Sequence, residues 1–111
     1  MVEKIVLQYL NSRLDVPSYM ERPDKPPDEY IVIEKTGGGT NNHIKRAMFA
    51  IQSYAQSLLR AAELNEEVKT AMEDIIVLDD ISRCGLNSDY NFTDTKTREY
   101  RYQAVFDLVY F

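Results

Sequence analysis

The last eleven residues before the terminal phenylalanine set the strongest constraint on how this chain can fold. From Tyr100 to Tyr110 the even positions are Tyr100, Tyr102, Ala104, Phe106, Leu108 and Tyr110, all apolar or aromatic. Between them stand Arg101, Gln103, Val105, Asp107 and Val109. An extended chain sends successive side chains to opposite sides, so this period of two predicts a strand with one face on a core. Ahead of it lies Thr93-Asp94-Thr95-Lys96-Thr97, too polar to pack, and ahead of that a second strand-like run beginning at Ile81–Leu86. The pair reads as a long hairpin whose second arm closes a sheet.

The rest of the chain supplies cover and partners for that sheet. In residues 1–14, Val2, Ile5, Val6, Tyr9, Leu10 and Leu14 recur at three-and-four spacing, which predicts a helix ended by Asp15 and Pro17. Val16 to Arg22 reads as a short extended piece, and Arg22 to Asp28, with three prolines, as a stiff surface connection. Tyr30-Ile31-Val32-Ile33 centres a strand over about 29–35. Thr36-Gly37-Gly38-Gly39-Thr40-Asn41-Asn42 reads as a flexible loop, because consecutive glycines have the most backbone freedom to lose. His43 to Tyr54 follows as an antiparallel neighbour, with Ala47, Phe49, Ile51 and Ser53 on one face and Met48 and Ala50 on the other. A second helix is expected over about 56–76, with Leu58, Ala61, Ala62, Val68, Met72 and Ile75 as its apolar stripe. Asp79-Asp80 ends it. The expected class is α+β: a mostly antiparallel sheet, two helices (about 1–14 and 56–76) on one face, and a long C-terminal hairpin, in one domain spanning 1–111.

Charge and composition narrow the function classes. Eighteen acidic against thirteen basic residues give −5, so no broad basic surface is available to clamp phosphates. No apolar run reaches the ~20 residues that cross a bilayer, and residues 1–14 mix charged and apolar residues unlike a secretory leader. One cysteine, Cys84, cannot close an internal disulfide, which fits a reducing cytoplasm. It reads as a small half-buried hydrophobe.

Candidate chemistry is thin. His43 is the only histidine and lacks ligand or catalytic partners at workable spacing. The three glycines lead into a strand, whereas phosphate loops lead into a helix N-terminus. Glu73, Asp74, Asp79 and Asp80 make an acidic cluster at a helix end without the calcium-loop pattern, and read as a solvated patch. Eight tyrosines, four of them between Tyr90 and Tyr110, suit core and subunit contacts. Arg98 and Arg101 are expected to pair with acids across a strand or interface. No catalytic, cofactor or metal set emerges.

Three stretches, taken together and in order, carry a family likeness. They are the Pro17–Gly39 run, the Ala47–Ala62 strand-into-helix run, and Asp94–Gln103 leading into the alternating last strand. From about Val2 to Tyr110 the chain resembles the small tail terminator, or tail completion, proteins of long-tailed bacteriophages and prophages. The resemblance implies a structural protein with no catalytic residues. It would form a homo-oligomeric ring, typically a hexamer, on the head-proximal end of the tail tube. Its partners would be copies of itself, the tail tube protein and a head-completion or connector protein, with DNA passing through unbound. It would be assembled in the host cytoplasm and reside in the virion. A different head–tail connector, such as a stopper or adaptor, is the nearest alternative; a small α+β ligand-binding domain, an enzyme or a monomeric regulatory module are further ones. On the ring reading, the contacts fall to two polar segments tethered to strands: Thr36, Gly37, Gly38, Gly39, Thr40, Asn41 and Asn42, and the hairpin tip Thr93, Asp94, Thr95, Lys96 and Thr97.

Overall fold

A computed structural model describes all residues, Met1–Phe111. The elements run α1 (Val2–Arg13), β1 (Ser18–Tyr19), β2 (Tyr30–Asn41), β3 (Ile44–Ala55), α2 (Leu58–Glu73), a 3₁₀ turn (Asp74–Val77), β4 (Ile81–Asn91) and β5 (Tyr100–Tyr110). The five strands form one sheet in the order β1-β2-β3-β5-β4. Every pairing is antiparallel except the two-residue β1 alongside β2. The α+β class expected from the pattern is the one observed, and no helix is long and apolar enough to cross a membrane.

One face of the sheet carries the main core. Ile31 and Ile33 of β2, Ala47, Phe49 and Ile51 of β3, and Ala104, Phe106 and Leu108 of β5 pack with Val2, Val6, Tyr9 and Leu10 of α1. Leu64, Val68, Ala71 and Met72 of α2 complete the layer with Ile75 of the 3₁₀ turn. The alternation in β5 therefore meets both helices on a single side. Each large side chain removed from water here stabilises the fold by roughly 1.5–3 kcal/mol. Tyr9 reaches across the layer and donates its hydroxyl to the Ala71 carbonyl at 2.6 Å, fixing α1 against α2. Ser57 caps α2, its Oγ accepting from the Arg60 amide at 3.1 Å, which is worth about 1 kcal/mol.

The structure corrects four details of the sequence reading. The Thr36–Asn42 segment is not a flexible loop. β2 runs on to Asn41, and Gly37, Gly38 and Gly39 pair with Met48, Ala47 and Arg46. The ladder to β3 holds these glycines extended, and none has positive φ. The turn itself falls on Asn42 and His43, with φ of 51° and 65°, as a two-residue hairpin of the primed type needs. Helix α2 is shorter than 56–76: it starts at Leu58 after its serine cap and tightens into the 3₁₀ turn at Asp74. Its buried stripe includes Leu64, Asn65 and Ala71, whereas Leu58 is exposed. Of the extended piece expected over 16–22, only Ser18–Tyr19 pairs with the sheet.

Candidate interaction surface

The sheet face opposite the helices has no layer of its own, and the two ends of that face differ. At the end near Tyr30, Tyr54 and Arg101, which sit side by side on β2, β3 and β5, aromatic and arginine side chains cover one another. Tyr30 and Tyr54 stack with ring centroids 4.5 Å apart and planes 4° from parallel, and Tyr19 meets Tyr30 edge-on. Arg101 lies over the rings of Phe92 and Tyr54, at 4.6 and 5.6 Å. It donates to the Tyr54 hydroxyl at 3.0 Å and to the Phe92 carbonyl at 2.7 Å. Arg22, from the β1–β2 connection, donates to the Tyr30 hydroxyl at 3.2 Å and pairs with Glu99 at 3.3 Å. Arg101 thus binds a tyrosine and a carbonyl where the sequence suggested acids. Burial pushes the Tyr30 hydroxyl pKa up despite the neighbouring Arg22.

One row further along, Gln52 donates to Gln103, and Gln103 in turn to the Tyr90 hydroxyl. Sequence alternation gave no hint of this row, because two glutamines and a tyrosine look like solvent-facing residues until the register places them together.

The far half of the same face is bare. Gly37, Met48, Asp107 and Gly85 stand in one cross-strand row, and Arg46, Val109 and Arg83 in the next. Two glycines at the flanks of the row leave a hollow of about 540 Å³, bordered also by Gly38 and Leu86. Asp107 accepts a hydrogen bond from Asn87 at 3.1 Å, while neither Arg46 nor Arg83 takes part in an ion pair.

The two candidate segments are not brought together. Lys45 pairs with Tyr110 and Ala55 with Tyr100, so the β2–β3 turn and the β4–β5 tip project from opposite ends of the sheet. They bracket the long axis of a molecule measuring 44 × 25 × 24 Å. β2 beyond Ile33 and β3 before Ala47 are exposed throughout, so this arm stands clear of the helices. The Thr93–Thr97 tip is a built turn. The Asp94 carboxylate accepts the amides of Lys96 and Thr97 at 2.9 and 3.4 Å, and the Lys96 amide in particular holds its pKa below the usual carboxylate value.

Charge is unevenly spread along the chain. Residues 58–80, which form α2, the 3₁₀ turn and the residues after it, hold seven acidic against two basic side chains; the rest of the chain holds eleven of each. The whole net charge of −5 is therefore equalled by residues 58–80 alone. Asp74 pairs with Arg13 at 3.1 Å, Arg60 with Glu29 and Glu67, and Lys69 with Glu66 and Asp89. Glu73, Asp79 and Asp80 enter no such pair.

The remaining candidate groups are dispersed. His43 is exposed on the hairpin turn. Cys84 packs at the core margin, and burial raises its thiol pKa to about 11. No three His, Cys, Asp or Glu side chains are grouped to hold a metal ion. No protein-family model matches the chain, and no curated protein matches it.

Proposed function

We propose that the protein is a structural component of a bacteriophage or prophage virion, forming a homo-oligomeric ring that caps the head-proximal end of the tail tube. The ring stops tube polymerisation, offers the surface to which the head is joined, and lets DNA pass without holding it. The sequence resemblance supplies this reading, and one structural observation carries it furthest: two stiff β-hairpins extend from opposite ends of one sheet. Such a shape favours contacts between different patches on successive copies, the arrangement that closes into rings. Long exposed edges on β2 and β4 add backbone groups open to a neighbour, interrupted by irregularities at Lys35/Gly37, Ile81/Arg83 and Leu86/Ser88 that limit indiscriminate pairing. An acidic stretch over residues 58–80 also suits the wall of a conduit for phosphates.

The test is electron microscopy of purified protein mixed with tubes assembled from the tail tube protein encoded beside it. A ring seated on one tube end, with tubes no longer growing there, is the expected result. Binding along the tube wall, or at a head portal but not the tube, would favour another connector; no association with either would remove the proposal.

A further inference from the structure

The bare groove on the open face has a complement elsewhere on the same chain. Its floor is short of side chains at Gly37 and Gly85, so another chain can approach the backbone closely. Met48 is exposed within it, and Val109 lines it. Arg46 and Arg83 border it without ionic partners, against the single carboxylate of Asp107, already bonded to Asn87. On the other side of the sheet, the 3₁₀ turn is anchored by the buried Ile75 but leaves Ile76 and Val77 exposed at 56% and 71%. Exposed acids flank that apolar pair: Glu73 before it, Asp79 and Asp80 after it.

We propose that the groove receives the Glu73–Asp80 segment of a second copy of this chain. Ile76 and Val77 lie against Met48 and Val109, and the flanking carboxylates meet Arg46 and Arg83. Each half answers a deficiency in the other. The groove offers apolar floor and unpaired guanidinium groups; the segment offers exposed aliphatic side chains between unpaired carboxylates. Charge complementarity selects this occupant, since residues 58–80 hold the entire charge excess of the molecule. Groove and segment lie on opposite sides of the sheet, so the contact is head-to-tail and leaves a groove and a segment free at the ends of any open chain. The inference rests on the self-assembling reading above and adds which surfaces meet.

Charge exchange tests it in solution, without any tube. Arg46→Glu with Arg83→Glu makes the groove acidic, and Asp79→Lys with Asp80→Lys makes the segment basic. All four positions are exposed, and thermal melting establishes that each variant folds. Sedimentation over a range of concentrations should show association of the parent chain, weakening as salt rises, and loss of it by at least tenfold in each variant alone. An equimolar mixture of the two variants should associate again, because each acidic groove then meets a basic segment. Val77→Asp in the parent should also weaken association. A parent that stays monomeric throughout, folded variants that associate like the parent, or a mixture that stays dissociated would each overturn the inference. Rings on tubes combined with any of these outcomes would leave the proposed function standing; restored association without tube capping would do the reverse.

Discussion

Gln52 and Gln103 sit directly opposite each other on the two central strands, and the Gln52 side-chain amide donates to Gln103 Oε1 at 2.8 Å. Both residues are about nine-tenths buried on a face that no helix covers. Tyr90 extends the row on β4, its hydroxyl accepting from the Gln103 amide. Replacing Gln103 by Leu leaves the Gln52 amide without its acceptor, at an expected cost of about 1–3 kcal/mol. Adding Gln52→Leu removes the orphaned group, so the double variant should recover much of that loss. Denaturant titration of the two single variants and the double measures the coupling; additive losses would mean that the pair contributes little.

Phe106 and Tyr102 look equivalent in the alternating pattern but differ in the fold. Phe106 is 2% exposed between Phe49 and Leu86 on the neighbouring strands. Phe106→Ala should cost about 3–5 kcal/mol, and Phe106→Asp should abolish cooperative melting by burying an unpaired charge. Tyr102 pairs with Ser53 and Asn91 and remains partly open to water. Tyr102→Asp should therefore still melt cooperatively, at a lower temperature, when followed by circular dichroism.

The same comparison marks how far the fold could be read from the residues. Alternation in β5 and the three-and-four spacing in α1 each depend on one buried face, the compact Tyr30–Ile33 run on two, and each gave its element correctly. The β2–β3 arm was illegible for the converse reason. Its residues from Glu34 to Arg46 bury neither face, so no hydrophobic period survives, and a glycine run with polar flanks looks like a loop. The groove escaped notice too: it depends on register, which brings Gly37 and Gly85, 48 positions apart in sequence, to the two ends of one row. Strand order follows from long-range pairings that a local pattern does not encode.

Neighbouring glycines in that arm should respond oppositely to a side chain. A Cβ at Gly38 would come within 3.0 Å of the Arg46 carbonyl oxygen and of Lys35 Cε, whereas one at Gly39 would meet nothing within 4 Å. Neither glycine uses a positive φ. Gly39→Ala should stabilise the arm by about 0.4–1 kcal/mol, through the smaller conformational freedom of the unfolded chain. Gly38→Ala should loosen the ladder instead. Hydrogen exchange of β2 and β3 amides near the turn reads the difference locally: slower for the first variant, faster for the second.

Cys84 should behave as a protected thiol. Burial, with a smaller contribution from Asp107, raises its pKa to about 11, so almost none is thiolate at neutral pH. Alkylation of the native protein at pH 8 should be much slower than after denaturation. A native rate matching the unfolded one would show that the core margin around Cys84 opens readily.

Glu29 and Arg60 give the fold an acid-side dependence. The Arg60 guanidinium donates through two nitrogens to the two Glu29 oxygens, at 2.9 and 3.0 Å, tying the start of α2 to the approach to β2. The hydrogen bonds from Arg60 hold the Glu29 pKa below its ordinary 4.5. A carboxylate depressed in the folded state binds its proton more readily once unfolded. Its contribution is therefore fully present above the ordinary value, and fades as pH falls from about there through the lowered one. Both side chains are about a third exposed, so water screens the pair and roughly 1 kcal/mol or less is expected. Glu29→Gln should accordingly lower the melting temperature at pH 7 by a small amount. That difference should shrink steadily as the medium is acidified below pH 4.5, and shrink again in high salt at neutral pH. A gap between parent and variant that stays constant across the acid range would mean that Glu29 acts through its shape and neutral hydrogen bonding rather than its charge.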